Sequence, residues 1–189
     1  MTIVYREVRR STHGDELRWA VAAEPVADPD GGPPVTRGVF RHPGICVVVP
    51  FVTADEVLLI RQYRYAVDAE LWEVPAGTLP GREENGRIVA IESPEACAGR
   101  ELEEETGYAA RRIRKIGECY AMPGSSDEVV HAFLAEDLVH GPQRLDPGGT
   151  ISAVRAFSRR ELGEMVHRGE IRDGKTLIAL FYAGLSDYS

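Results

Sequence analysis

The acidic stretch RELEEETGY (residues 100–108) constrains this chain more than any other, because it places four glutamates within five consecutive positions. If the stretch is helical, Glu101, Glu104 and Glu105 stand at positions i, i+3 and i+4 and share one helix face. Two like charges about 5 Å apart repel by roughly 3 kcal/mol at an effective dielectric near 20. On an exposed helix, water screens this repulsion to a few tenths of a kcal/mol. The face is therefore either a solvated surface or a site for a cation, which would turn repulsion into ligation.

The bulk composition excludes several classes of function. The 189 residues suit a single domain, and a hydrophobic content of 43% suffices for an ordinary core. A net charge of −8 and a pI near 5.2 make a nucleic-acid backbone an unsuitable partner. No apolar run approaches a membrane span, and the first residues lack the apolar core of a signal peptide. Three cysteines without a CxxC spacing indicate reduced thiols, so we expect a cytoplasmic protein. From the net charge and the absence of a long apolar run, we expect neither nucleic-acid nor membrane partners.

Hydrophobic periodicity predicts an N-terminal β region followed by a larger domain. Residues 2–10, 16–23 and 35–41 alternate apolar and polar side chains, which is typical of short antiparallel strands, and a loop rich in Pro, Gly and Asp spans 27–35. The continuous apolar run ICVVVPFV at 45–52 predicts a buried strand. The elements alternate without βαβ regularity, so the sequence predicts a mixed-sheet α/β sandwich rather than a doubly wound sheet. The remaining predicted elements are strands at 56–65, 71–74, 112–120, 128–135 and 151–157 and helices at 159–168 and 175–185.

The acidic stretch lies on a predicted helix with recognisable ends. Ser93 can cap the N-terminus, and Pro94 follows at the first helical position, where a missing N–H costs nothing. Gly107 stands where a glycine commonly ends a helix. The preceding segment, 75–95, holds three glycines and three prolines and is predicted to be a long loop that carries an insertion.

The segment GEIRDGKT (169–176) matches the P-loop pattern GxxxxGK[ST], but its context argues against a phosphate-binding loop. A P-loop follows a hydrophobic strand, whereas the residues before this segment look helical. Glu170 and Asp173 would also place negative charge beside bound phosphates. We interpret the segment as a turn between two helices.

The acidic helix belongs to a longer pattern with fixed spacing, G-x5-E-x7-R-E-L-x-E-E-x-G-Y. This pattern resembles the Nudix box, the signature of the Nudix hydrolases. Its literal matches are Gly86, Glu92, Arg100, Glu101, Leu102, Glu104, Glu105, Gly107 and Tyr108. Further segments look like those of ADP-ribose and nucleotide-sugar pyrophosphatases, namely RHPGICVVVPF, LLIRQYRYAV, LWEVPAG, MPGSSDE and GEIRDGKT.

One departure from the family pattern concerns the glycine of the box. In the subfamily that this chain most resembles, that glycine closes a strand ending in E-x-PAG, which here is Gly77. Gly77 lies nine residues before Gly86, so we interpret the segment near 78–91 as carrying nine inserted residues and Gly77 as the structural equivalent. The insertion is then either a rim beside the site or a solvated loop.

The resemblance implies a Nudix-type α/β/α sandwich with a mixed sheet, plus a small N-terminal antiparallel β-sheet region. Residues 1–42 would form that region and mediate homodimerisation, and residues 43–189 would form the hydrolase domain. It further implies a Mg²⁺ cofactor, with Mn²⁺ as a substitute, because Mg²⁺ takes hard oxygen ligands and neutralises a diphosphate. The implied metal ligands are Glu101, Glu104, Glu105 and the Ala76 carbonyl, with Arg100 orienting the glutamates.

The resemblance also implies substrate-binding residues. Arg64 would contact the diphosphate, since guanidinium suits bidentate phosphate contact, and Trp19 or Phe40 would stack on the base. The general base is open, because the region 144–157 lacks the expected acidic loop between Asp146 and Arg155. The candidates are Asp127, Glu128 and Asp146, or water activated by the metal with Glu104 as proton acceptor.

Three functions are consistent with this sequence. The first is hydrolysis of ADP-ribose or a related nucleoside diphosphate sugar to a nucleoside monophosphate and a sugar phosphate. The second keeps the reaction but changes the substrate to another NDP-linked compound or a diphosphate of a biosynthetic pathway. The third is a nucleotide-binding module with weakened catalysis. Metal-dependent turnover separates the third function from the first two, and a panel of substrates separates those two.

Overall fold

The computed structural model of the protein describes residues 9–141 and 151–185. Its helices are α1 (Pro94–Thr106), α2 (Arg159–His167) and α3 (Gly174–Tyr182). Its strands are β1 (Arg9–His13), β2 (Glu16–Val26), β3 (Val35–Arg41), β4 (Ile45–Pro50), β5 (Glu56–Arg64), β6 (Ala69–Glu73), β7 (Ala76–Thr78), β8 (Gly81–Glu84), β9 (Arg87–Ala90), β10 (Tyr108–Tyr120), β11 (Val129–His140) and β12 (Ile151–Ser158). The strand predicted at 2–10 lies mostly outside the described residues.

The strands of the described part form three sheets. The central sheet has the order β10-β11-β4-β7 and is mixed, because β11 and β4 run parallel while its other pairs are antiparallel. A second sheet, β12-β5-β6, is antiparallel. The third joins β1, β2 and β3 of the N-terminal region to β8 and β9. The predicted mixed-sheet α/β class is confirmed.

The buried strand β4 divides the core into two layers. Its side chains alternate, so Val47 and Val49 face one side of the central sheet while Cys46 and Val48 face the other. On the first side the sheet packs against β5, β12, α2 and α3. On the second side it packs against α1, through Cys97, Ala98 and Leu102. This is the predicted α/β/α sandwich, with the acidic helix as one outer layer.

The ends of α1 follow the chemistry of the sequence. The Ser93 hydroxyl accepts a hydrogen bond from the Ala96 N–H at 3.2 Å, and Pro94 occupies the first turn. Gly107 ends the helix in the left-handed conformation with φ of 77°, and its N–H donates to the Glu103 carbonyl. Of the described residues, no helix is long and apolar enough to cross a membrane.

The prediction of a long loop over 75–95 was wrong, because the segment contains β7 and the hairpin β8–β9. Asn85 and Gly86 form the hairpin turn with φ of 51° and 77°. A two-residue turn with both φ values positive favours the Asn-Gly dipeptide, so Gly86 serves the turn. The predicted helix at 175–185 is also shorter than expected, since α3 ends at Tyr182.

The inserted hairpin extends the N-terminal sheet. Gly81 pairs with Leu17 of β2, and Ile88 completes a small cluster with Leu17 and Ala20. A Cβ on Gly81 would lie 2.6 Å from the Ile88 Cγ2 and 3.0 Å from the Leu17 carbonyl oxygen. The hairpin can therefore approach β2 only because residue 81 has no side chain. The division of the chain at residues 42 and 43 stays a prediction.

Gly81→Ala should destabilise this junction. We expect the free energy of unfolding to fall by roughly 1–3 kcal/mol, as for other overpacked sites. Chemical denaturation measures the change, with Gly174→Ala as the matched control because a Cβ there has no atom within 4 Å. Equal stability of the two variants would show that the close approach of Gly81 to β2 does not matter.

Candidate active site

The acidic face of α1 packs against strand β7. The Ala76 N–H donates a hydrogen bond of 2.9 Å to Glu105 Oε2. A Cβ on Gly77 would lie only 2.1 Å from Glu101 Cδ, so the Glu101 carboxyl occupies the space that a side chain at residue 77 would need. This close contact supports Gly77, rather than Gly86 at the hairpin turn, as the glycine that serves the acidic helix.

Arg100 joins the carboxylates of this face. Its Nη1 donates to Glu101 at 2.8 Å and to Glu104 at 3.0 Å, while its Nη2 donates to Glu92 at 3.1 Å. Desolvation by itself would lower the pKa of Arg100, but the hydrogen bond that Arg100 donates to Glu92 and the charge of Glu101 outweigh it and raise the pKa. Arg100 is thus a fixed cation that orients two of the three glutamates and ties them to Glu92.

Burial raises the pKa of two of the glutamates. Desolvation raises the pKa of Glu101, although Arg100 opposes the shift. Desolvation also raises the pKa of Glu105 to about 8. The hydrogen bond from the Ala76 N–H opposes this rise, and the charge of Glu101 adds to it. Glu104 is the most open of the three, with 41% of its side chain exposed.

These residues fit a divalent ion by their chemistry. Carboxylate oxygens on one helix face are the ligands that Mg²⁺ and similar hard cations take, and a dication would offset the cost of ionising buried groups. Within 9–141 and 151–185, no three acidic, histidine or cysteine side chains already converge on a common ligation point. Glu101 and Glu104 hold Arg100 instead, and Glu105 holds the Ala76 N–H. Ligation would exchange these contacts for the ion.

A buried carboxylate, Glu73, supports the site from β6. It is fully buried and accepts hydrogen bonds from Arg64 Nε at 2.8 Å, Arg64 Nη2 at 2.6 Å and Lys175 Nζ at 2.9 Å. The predicted diphosphate ligand Arg64 is therefore held by a carboxylate, while 37% of its side chain stays exposed. The charge of Arg64 opposes the rise in the pKa of Glu105, so these two side chains interact electrostatically.

The segment GEIRDGKT has a structural role, and it does not form a P-loop. It connects α2 to α3, as predicted. Asp173 caps α3 by accepting from the Thr176 N–H at 2.9 Å, and Lys175 contacts Asp173 at 2.6 Å. The buried Thr176 hydroxyl accepts a hydrogen bond of 3.0 Å from the Val74 N–H. The segment thus fixes the strand that carries Glu73, a role that the sequence analysis missed.

The predicted base-stacking residues lie together in the N-terminal sheet. The rings of Trp19 and Phe40 are 5.6 Å apart and tilted by 36°, and both side chains are half-buried. The Phe40 backbone pairs with the MPGSSDE loop, because its N–H donates to the Ser125 carbonyl at 2.8 Å and its carbonyl accepts from the Ser126 hydroxyl at 2.9 Å. The aromatic pair and the loop with two candidate bases therefore form one surface.

The candidate bases differ in their surroundings. Asp127 accepts hydrogen bonds from Arg41 Nη1 at 2.8 Å and from the His42 N–H at 2.9 Å, so its carboxylate ties the loop to β3. Desolvation raises the pKa of Glu128, with the charge of Lys175 opposing the shift. Oε2 of Glu128 lies 3.6 Å from His42 Nδ1. Asp146 lies outside the described residues.

The chain is similar to several known proteins in sequence and in fold. The sequence model of the NUDIX domain matches residues 40–180. An ADP-ribose pyrophosphatase of Bacillus subtilis is 34% identical over 153 residues, covering 80% of this chain and 77% of the relative. A GDP-mannose pyrophosphatase of Salmonella paratyphi B is 38% identical over 154 residues, covering 75% of this chain and 73% of the relative.

This chain belongs to the NUDIX family. A methanol dehydrogenase activator of Bacillus methanolicus is also similar, at 30% identity over 80% of this chain and 77% of the relative. The crystal structure of an ADP compounds hydrolase shares the fold, with a TM-score of 0.69 at 17% identity over 97% of this chain and 93% of the other. The recognition from the Nudix box is confirmed, and the protein is a Nudix hydrolase of a family that generally needs a divalent metal ion.

The raised pKa of Glu105 predicts how the metal-free Nudix protein responds to pH. The pKa of Glu105 is higher in the folded chain than in the unfolded chain. At a pH between these two values the native state binds one proton more than the unfolded state. The free energy of unfolding therefore falls as pH rises from about 5 to about 8. Glu105→Gln removes this titration and should reduce that decline. Thermal unfolding of both proteins in a chelator, at several pH values, measures the difference. Parallel pH profiles would contradict the environment described for Glu105.

Proposed function

We propose that this Nudix hydrolase cleaves the diphosphate bond of ADP-ribose or a related nucleoside diphosphate sugar with Mg²⁺ as the cofactor. The products would be a nucleoside monophosphate and a sugar phosphate. The observation that carries the proposal is the packing of the α1 carboxylate face on Ala76 and Gly77 of β7, with the charge of Arg64 acting on Glu105. The similarity to an ADP-ribose pyrophosphatase supports the substrate class.

The residues of the chain divide the work of this reaction. Glu101, Glu104, Glu105 and the Ala76 carbonyl would hold the metal, which when bound neutralises the diphosphate and makes an attacking water more acidic. Arg100 keeps Glu101 and Glu104 in place. Arg64, braced by Glu73, presents the exposed part of its guanidinium to the diphosphate. The tilted pair of Trp19 and Phe40 offers an aromatic surface for the base.

We assign proton acceptance from the attacking water to Glu104. It is the most exposed glutamate of the face and accepts from Arg100 at Oε2, whereas both carboxylate oxygens of Asp127 are engaged, by Arg41 and by the His42 N–H. Glu128 is the alternative acceptor, because it lies partly buried near Lys175. A general base contributes typically 10²–10⁴-fold, so Glu128→Gln should lower turnover by less than about tenfold if Glu104 is the acceptor.

A second substrate is supported by a specific observation. GDP-mannose pyrophosphatases match this chain at 38% identity, which is comparable to the 34% of the ADP-ribose enzyme. GDP-mannose or another NDP-linked compound is therefore the alternative substrate. The third alternative, a nucleotide-binding module with weakened catalysis, predicts binding without turnover.

Phosphate-coupled turnover tests the function directly. The panel should contain ADP-ribose, GDP-mannose, UDP-glucose and diadenosine polyphosphates, each with Mg²⁺ and with Mn²⁺. We expect turnover of at least one nucleoside diphosphate sugar, and Glu105→Gln should lower it at least about a hundredfold because a charged ligand is lost from the reacting centre. A folded Glu105→Gln variant with near-normal turnover at saturating Mg²⁺ would remove Glu105 from the ligand set.

We propose in addition that the chain forms a homodimer through its N-terminal sheet. The family resemblance supports this assembly, as do Val21, Val26 and Val35, whose apolar side chains are 41–47% exposed on β2 and β3. Light scattering should give about twice the chain mass of 20.8 kDa. A monomer with full activity at micromolar concentration would contradict the assembly.

A further inference from the structure

A cleft of about 450 Å³ lies beside the acidic face, at the base of the inserted hairpin. We call it the hairpin cleft, and its lining consists of Glu16, Arg18, Pro80, Ile91, Glu92 and Arg100. It is separate from the surface formed by Trp19, Phe40 and the MPGSSDE loop. Trp19 and Phe40, which are assigned to the nucleobase, do not line it, and neither does Arg64, which is assigned to the diphosphate.

The hairpin cleft and the acidic face share a wall. Arg100 contacts Glu92 in the cleft through Nη2 and contacts Glu101 and Glu104 on the acidic face through Nη1. On the opposite side, Arg18 Nη1 donates a hydrogen bond of 2.9 Å to the carbonyl of Thr78, the residue after Gly77. A group in the cleft would therefore be separated from the acidic face by the Arg100 side chain.

The insertion builds the cleft. The Ile91 N–H donates to the Pro80 carbonyl at 2.9 Å, which closes the base of β8–β9 and fixes both residues as the apolar part of the lining. The pairing of Gly81 with Leu17 brings Glu16 and Arg18 to the same place. A chain without the nine inserted residues would lack this enclosure.

The lining suits a neutral, hydroxyl-rich group. The two carboxylates have acceptor positions left for hydroxyls, the Arg18 guanidinium has N–H groups left for ring and hydroxyl oxygens, and the half-exposed Ile91 with Pro80 can contact C–H bonds. A group with its own charge gains no net attraction from this lining, because each carboxylate has a guanidinium beside it. The two carboxylates and two guanidinium groups balance, so the cleft has no net formal charge.

We propose that the hairpin cleft binds the sugar ring on the leaving side of the diphosphate and thereby selects the sugar. This inference rests on the proposed function, because it assigns the part of a nucleoside diphosphate sugar that the nucleoside surface does not bind. The ligand class is an uncharged sugar ring attached to the phosphate at the acidic face.

Two variants test the assignment. Ile91→Trp would fill the cleft, and folding should tolerate it because Ile91 is 50% exposed. Glu16→Gln keeps the side-chain volume but removes the charged acceptor. Val139→Trp is the matched control, since Val139 is 44% exposed on β11 and does not line the cleft.

The readout is equilibrium titration of the two products separately, AMP and ribose 5-phosphate, in the presence of Mg²⁺. Ile91→Trp should weaken ribose 5-phosphate binding at least about tenfold, and Glu16→Gln should weaken it about three- to fivefold, because the sugar loses space or a hydrogen-bond acceptor. AMP affinity should change by less than about twofold in both variants, and Val139→Trp should leave both affinities unchanged. Mannose 1-phosphate and GMP replace these products if GDP-mannose is the better substrate.

The other outcomes of these titrations each contradict a specific part of the proposal. Unchanged sugar phosphate affinity in a folded Ile91→Trp variant, or no sugar phosphate binding by the wild type, would overturn the assignment. Weakened AMP binding would place the nucleoside in the cleft instead. Absence of turnover by the wild type, with these titrations behaving as expected, would refute the proposed reaction but not the sugar site.

Discussion

The contact between helix α1 and strand β7 is the constraint on which the rest of the site depends. Repulsion among Glu101, Glu104 and Glu105 would favour a solvated helix face, yet two of these carboxyls are turned against the protein. The missing side chain of Gly77 makes room for Glu101, and the Ala76 N–H holds Glu105. Burial then raises the pKa of both groups, so a bound cation would favour their ionised forms.

The surrounding charges hold this contact in place by a series of specific ion pairs. Arg100 connects the acidic face to Glu92, and the buried Glu73 is satisfied by Arg64 and Lys175. Burying the Glu73 carboxylate without such partners would cost folding free energy. Its position at the end of β6 therefore depends on Arg64 of β5 and Lys175 of α3. This arrangement links the position of the proposed diphosphate ligand to the packing of the C-terminal helix.

The sequence predicted the acidic helix well, because its information is local. Ser93, Pro94 and Gly107 mark the ends of the helix, and the spacing of the glutamates fixes their common face. The buried strand β4 was equally clear, since its six residues are all apolar or proline and all buried. The family and the fold class followed from these features and from the spacing of the Nudix box.

Other features depended on contacts between distant residues and could not be predicted from one sequence. The inserted hairpin carries a local signal, the Asn85–Gly86 turn, but its first strand, GREE, has no apolar side chain. The loop prediction gave more weight to the glycines and prolines. The support of Glu73 by Lys175 joins residues 102 positions apart. The partners of Asp127 likewise come from 85 and 86 positions away, so its ties to His42 and Arg41 emerge only in the folded structure.

Kinetics of a Gly77→Ala variant test the central claim most directly. The added Cβ would lie 2.1 Å from the Glu101 carboxyl, so the glutamate has to move away from β7 while the helix and its caps remain intact. The account predicts an unchanged far-ultraviolet circular dichroism spectrum and a fall in kcat/KM of at least about a hundredfold for the best substrate, because the carboxylate leaves its position for the metal. A folded variant with kcat/KM close to that of the wild type would contradict the account.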